Sequence, residues 1–128
     1  MNDLRAVQTL QLDHVVVTTT AAGTELDLSK HFVNPGKREM KAVLGALETV
    51  ASDSGSLAYK LQHSNTTVDS DFSDISGAAF TTLQDSDTNV LQQIHFFTAR
   101  RYVRGYRTLA GGADWAISCA LFAVKRDA

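Results

Sequence analysis

The sequence holds one cysteine, one proline and one tryptophan among 128 residues, and no stretch of 18 residues stays apolar. One cysteine cannot close an internal disulfide, so any stability must come from a hydrophobic core. Cys119 lies in an apolar run and reads as a small core residue rather than a reactive thiol. The missing apolar run excludes a membrane-spanning helix, and the N-terminus lacks the apolar core of a secretory signal, so a non-secreted, soluble chain is expected. A basic excess is absent too. Twelve Lys and Arg against 14 Asp and Glu leave a formal charge of -2, which argues against broad nucleic-acid affinity. No glycine-rich phosphate loop and no nucleophile elbow occurs.

What is present is an ordinary globular balance, 44% hydrophobic and 20% charged. That is enough to build one core without metal or disulfides. Residues 1–10 read as an arm, flexible or ordered by a partner, and 11–128 as a single domain without internal repeat or linker. Leu12 to Thr20 are rich in Val and Thr, which favour a strand. Ala21 to Gly23 begin an irregular connection, and Asn34-Pro35-Gly36 suits a turn. Arg38 to Val50 admits two readings. Met40, Val43, Leu44, Leu47 and Val50 make a helical stripe, whereas Gly45 and the neighbouring segments favour a strand.

Leu57, Tyr59, Leu61 and His63 alternate with Ala58, Lys60 and Gln62, the pattern of a half-exposed strand. Ser64 to Gly77 reads as a long polar loop anchored by Phe72 and Ile75. Short strands follow at Phe80 to Leu83, Val90 to Thr98 and Tyr102 to Leu109. After a glycine turn at 110–113, Trp115 to Val124 is apolar on both faces and suits a central strand. Six or seven short strands predict a mainly β fold, a two-sheet antiparallel sandwich or jelly roll.

Catalytic, cofactor-binding and metal-ligating residues are not assigned. His14, His31, His63 and His95 are each a base in principle, but linear sequence brings no nucleophile and orienting acid to them. Asp69, Asp71 and Asp74 lack the glycine and terminal glutamate of a calcium loop. Charge is segregated: residues 61–99 carry five Asp and no Lys or Arg, whereas Arg100, Arg101, Arg104 and Arg107 follow within eight positions. Opposite patches of this kind can orient a protein partner. The candidate interface residues are therefore Asp69, Asp71, Asp74, Arg101, Tyr102, Arg104, Tyr106 and Arg107, with Trp115 able to serve either core or contact.

Leu61-Gln62-His63-Ser64, then Asp71 to Phe80, Arg101-Tyr102-Val103-Arg104-Gly105-Tyr106, Gly111-Gly112 and Ala123 to Arg126 occur in an order that resembles small head-associated virion proteins of tailed bacteriophages. The resemblance spans roughly 40–126. It implies a noncatalytic subunit of decoration, cement or spike-base type with a β-sandwich or jelly-roll fold. It also implies a place on the capsid exterior, after assembly in the host cytoplasm. Its partners would be the major capsid protein or other head proteins, together with copies of itself, a trimer being one closed form. A carbohydrate-binding sandwich aiding adhesion and a head-tail connector accessory are the alternatives.

Overall fold

The computed structural model describes residues 9–17, 19–30, 38–50, 55–84 and 90–123. Among the described residues ten strands run in chain order: β1 (Thr9–Val17), β2 (Ala21–Ala22), β3 (Leu26–Asp27), β4 (Arg38–Val50), β5 (Ser56–Ser64), β6 (Ser73–Ala79), β7 (Leu83–Gln84), β8 (Val90–Thr98), β9 (Tyr102–Ala110) and β10 (Asp114–Ala123). Seven of them have seven residues or more, and the other three have two. One sheet is four-stranded, in the order β1-β10-β4-β8. The other follows β2-β9-β5-β6, with β3 also on β9 and β7 on β5. Every pairing is antiparallel. Among the described residues the only helical turns are short 3-10 segments at Leu28–Lys30 and Asp69–Asp71, and no helix is long and apolar enough to cross a membrane. The mainly β, two-sheet expectation is thus met.

The ambiguous segment 38–50 is a strand. Met40, Ala42, Leu44 and Ala46 are buried while Val43 and Gly45 are half-buried and Leu47 is exposed, which is a period of two rather than the helical stripe. Across it, Trp115, Ile117, Cys119 and Leu121 of β10 are buried, and β10 lies between β1 and β4 as a central strand. The six-stranded sheet meets them with Leu57, Tyr59 and Leu61 from β5, Val103 from β9, Ile75 and Ala78 from β6 and Leu83 from β7. One core therefore lies between two facing sheets. Cys119 is fully buried.

Several boundaries differ from expectation. β1 begins at Thr9, inside the segment expected to be an arm, and residues 1–8 lie outside the described residues. The expected turn at 34–36 also falls outside them. Ala21–Ala22 pairs with Arg107 and Tyr106, so the irregular connection begins with a short edge strand. The strand expected at Phe80 to Leu83 reduces to Leu83–Gln84, and Phe80 is buried just beyond β6.

The largest difference is β6, which occupies the second half of the expected polar loop. Its register against β5 jumps from Gln62↔Asp74 to Lys60↔Ala79, a bulge. Gly77, at φ 77°, lies within it. The bulge turns both Ile75 and Ala78 inward, three residues apart, so no alternation betrays the strand.

Candidate functional site

The residues singled out by charge meet on and around the outer face of the six-stranded sheet. Strand β9 alternates: Val103 faces the core, whereas Tyr102, Arg104 and Tyr106 occupy the other side. Pairing sets Gln62 opposite Arg104 and Lys60 opposite Tyr106, and Asp74 opposite Gln62.

Arg104 is the centre. Its Nε donates to Gln62 Oε1 at 2.9 Å and its Nη1 to Asp69 Oδ1 at 2.6 Å. The guanidinium lies 4.1 Å from the centroid of the Phe72 ring. The side chain is only 8% exposed although it points outward, because segment 65–72 folds over it; Asp69 remains 86% exposed. That segment is braced locally. Thr66 Oγ1 donates to Asp71 at 2.6 Å, Thr66 N donates to Ser64 Oγ at 3.0 Å, and Phe72 N donates to Asp69 O at 3.2 Å.

Beside this cap, Lys60 Nζ pairs with Asp74 at 2.9 Å and sits 5.5 Å from the Tyr106 ring centroid. Gln62 Nε2 donates to the other Asp74 oxygen at 3.0 Å. These hydrogen bonds, from Gln62 first and then Lys60, hold the Asp74 carboxyl below the usual carboxylate range. A shallow pocket of about 220 Å³ adjoins them, lined by Ala58, Lys60, Ala79, Phe80, Thr82 and Thr108 among others.

At the end of β9, Arg101 makes a two-point contact with Asp27, Nε at 3.0 Å and Nη2 at 2.9 Å, and lies over the Tyr102 ring at 5.0 Å. Asp27 also accepts from Ser29 Oγ and N. The Arg101 bonds first, then those from Ser29, drive its carboxyl well below the ordinary range, and the same contact raises Arg101. Arg107 donates from Nε to Thr19 O at 3.2 Å.

One of these pairs, Asp69 on Arg104, joins the acidic segment to the basic one, whereas Asp74 pairs with Lys60 and Arg101 with Asp27, partners from outside both segments. Asp69, Asp71 and Asp74 each have separate partners, and among the described residues no three His, Cys, Asp or Glu side chains gather where they would hold a metal ion. Trp115 lies in the core. Tyr102 and Tyr106 are half-buried. His63 bonds Thr98 at 2.8 Å and His95 faces Glu39 at 3.7 Å; His31 and the side chain of His14 fall outside the described residues.

Four members of the cluster escaped the sequence reading. Lys60 and Gln62 carried a signal, since alternation placed them on the outer side of their strand. Phe72 was expected to anchor in the core and instead stacks on a guanidinium. Asp27 had no signal, because its pairing depends on a two-residue strand.

No protein-family model matches the sequence, and a search of curated proteins finds no match. Solved structures do match in shape. The prophage-derived protein YomS of SPBc2 superposes with a TM-score of 0.57 at 15% identity, over 91% of this chain and 92% of that one. The CBM22-1 xylan-binding domain of Xyn10C from Paenibacillus barcinonensis gives 0.55 at 15% identity, over 93% of this chain and 74% of that one. The chain is a β-sandwich domain that shares its fold with both a prophage protein and a carbohydrate-binding module.

Proposed function

We propose that this protein is a noncatalytic structural subunit of a bacteriophage particle, of decoration, cement or spike-base type, and that it binds the major capsid protein or a neighbouring head protein through the outer face of its six-stranded sheet. The observation that carries the reading is the prebuilt polar face: Arg101, pinned by Asp27, lies over Tyr102, and Lys60, held by Asp74, lies over Tyr106. Side chains already held in place lose little freedom on docking. Charged rims and half-buried tyrosines suit a separable protein partner. The end-to-end superposition on a prophage protein supports the same reading. On a symmetric shell, individually weak contacts add through repetition.

High-resolution imaging of native particles tests this. Density for the chain on the head exterior, with β9 against the shell, is expected. Persistent absence of the chain from intact purified particles overturns it.

A second reading, a carbohydrate-binding sandwich aiding adhesion, has one observation in its favour: the pocket beside Lys60 and Thr108 next to the Tyr106 ring. Against it, the Tyr106 face is already occupied by the Lys60 ammonium, and Trp115 is buried. A glycan screen separates the readings; saturable binding lost in Tyr106→Ala favours the second.

A further inference from the structure

Among the described residues the two sheets end in four edges: β1 and β8 in the four-stranded sheet, β2 with β3 and β6 with β7 in the other. An open edge offers main-chain N–H and C=O groups to another strand, so natural edges are short, bulged, charged or interrupted by proline. Three of the four edges here conform. A register shift between Gln11 and Asp13 breaks β1, β2, β3 and β7 have two residues each, and β6 carries Asp74 and the bulge at Gly77.

β8 is the exception. All nine residues pair with β4 in unbroken register, and the strand holds no Lys, Arg, Asp, Glu, Pro or Gly. Leu91 is 75% exposed and Phe97 47%. Gln93 and His95 are exposed between them on the same outer side, while Ile94, on the inner side, is only partly buried. Gln92, also on the inner side, accepts from Thr81 N at 2.9 Å through Oε1 and donates to Thr81 O at 3.1 Å through Nε2. Segment 80–82 is thus held beneath the edge by a side chain, and among the described residues no strand pairs with the far side of β8.

We infer that β8 pairs with the β8 strand of a second copy, antiparallel and edge to edge, joining the two four-stranded sheets into one. The strand is complementary to itself in one register. A two-fold axis normal to the sheet at Ile94 sets Leu91 opposite the partner's Phe97 and Gln93 opposite the partner's His95, each pair occurring twice. On the inner side it brings Ile94 against the partner's Ile94. The exposed apolar residues of the strand become direct cross-strand neighbours, and no like charges face each other. Moving the axis to Gln93 or to His95 sets one of Leu91 and Phe97 opposite a polar residue and the other beyond the end of the strand.

The contact is small: about 30 Å of edge, about 10 Å deep, gives about 300 Å² per copy. A permanent dimer buries more. The association therefore rests on the ladder, about eight main-chain hydrogen bonds. It is reversible, with a dissociation constant above about 1 μM.

Sedimentation equilibrium of the purified full chain from about 1 μM to about 1 mM is the first test, and a monomer–dimer equilibrium is expected. A second test reads the register. In a Gln93→Cys, His95→Cys double variant the two thiols face each other across the pair, with Cα atoms about 4.5 to 5.5 Å apart, and oxidation is expected to give a linked dimer on a non-reducing gel. Either single variant sets its cysteines on the diagonal, about 7 to 8 Å apart, and is expected to link roughly tenfold more slowly or less. Leu91→Lys weakens the dimer by roughly tenfold or more with an unchanged circular dichroism spectrum. Leu47→Lys, exposed on the same sheet but away from this edge, leaves it unchanged. A monomer across the whole range, a trimer, single cysteines that link as fast as the double variant, or a dimer more sensitive to Leu47→Lys than to Leu91→Lys overturns the inference. None of these outcomes depends on whether the chain binds a capsid.

Discussion

Arg104 and Phe72 form a stacked pair, guanidinium on ring at 4.1 Å, in which a charge on the outer side of a sheet is buried by the loop that follows β5. The pair is uneven in its ionic part: the cation is buried and its anion, Asp69, is in water. Removing the cation therefore costs more than removing the anion. Arg104→Ala leaves Gln62 Oε1 without its donor and Phe72 without its platform, an expected loss of about 2 to 3 kcal/mol. Asp69→Asn is expected to cost less than about 1 kcal/mol, because the exposed carboxylate is well solvated either way. Urea denaturation of the two variants checks the order; equal losses contradict this account.

Gly77 supplies a second prediction. A Cβ at this position meets nothing within 4 Å, yet φ is 77°, so a substitution strains the backbone without any steric clash. Gly77→Ala is expected to lose about 1 to 2 kcal/mol, and Gly77→Asn less, since Asn tolerates the left-handed region better. If Asn proves as costly as Val, the bulge geometry is not what glycine provides.

The bulge also shows how far sequence reasoning reaches. Alternation identified β5 and resolves β4 once burial is seen, because one buried face enforces a period of two. It failed at β6, where the bulge around Gly77 resets the inward side and Ser, Asp and Gly have little strand preference. It failed at β2 and β3, two-residue strands that exist only because β9 offers an edge. For the site, charge segregation pointed to the right segments, Asp69 to Asp74 and Arg101 to Arg107. Partners such as Lys60 and Asp27 arrive through tertiary pairing, to which sequence distance gives no clue. The segregated charges are in large part neutralised within the chain, so the outer face is more rigid and less charged than the linear sequence implies.

Asp27 leads to a prediction at acid pH. Its carboxyl is held well below the ordinary value by Arg101 and Ser29, so the native state binds its proton less readily than the unfolded chain does. The stabilisation is therefore complete above about pH 5 and declines as pH falls through about 4 and lower. Asp27→Asn removes this contribution. The difference in urea midpoint between wild type and variant is expected to be constant near neutrality and to shrink below about pH 4. A difference that widens with acid contradicts the linkage.

His63 titrates in the opposite chemical sense but with the same consequence. It lies on the inward side of β5, and its Nδ1 is 2.8 Å from Thr98 Oγ1 on β8, a bond that ties the two sheets together. Thr98 Oγ1 also accepts from Arg100 N at 3.2 Å. Burial first, and the Arg100 charge second, lower the pKa of the ring below its ordinary value. The folded protein thus resists the proton that the unfolded chain accepts near pH 6.5. This stabilisation is intact above that pH and is lost as pH falls through the lowered native value. His63→Gln is expected to flatten the stability profile between about pH 7 and 5 relative to wild type. Thr98→Val, which removes the hydroxyl but leaves the ring, is expected to lower stability at pH 7 while keeping the slope. Should Thr98→Val abolish the slope and His63→Gln preserve it, the titrating group is not His63.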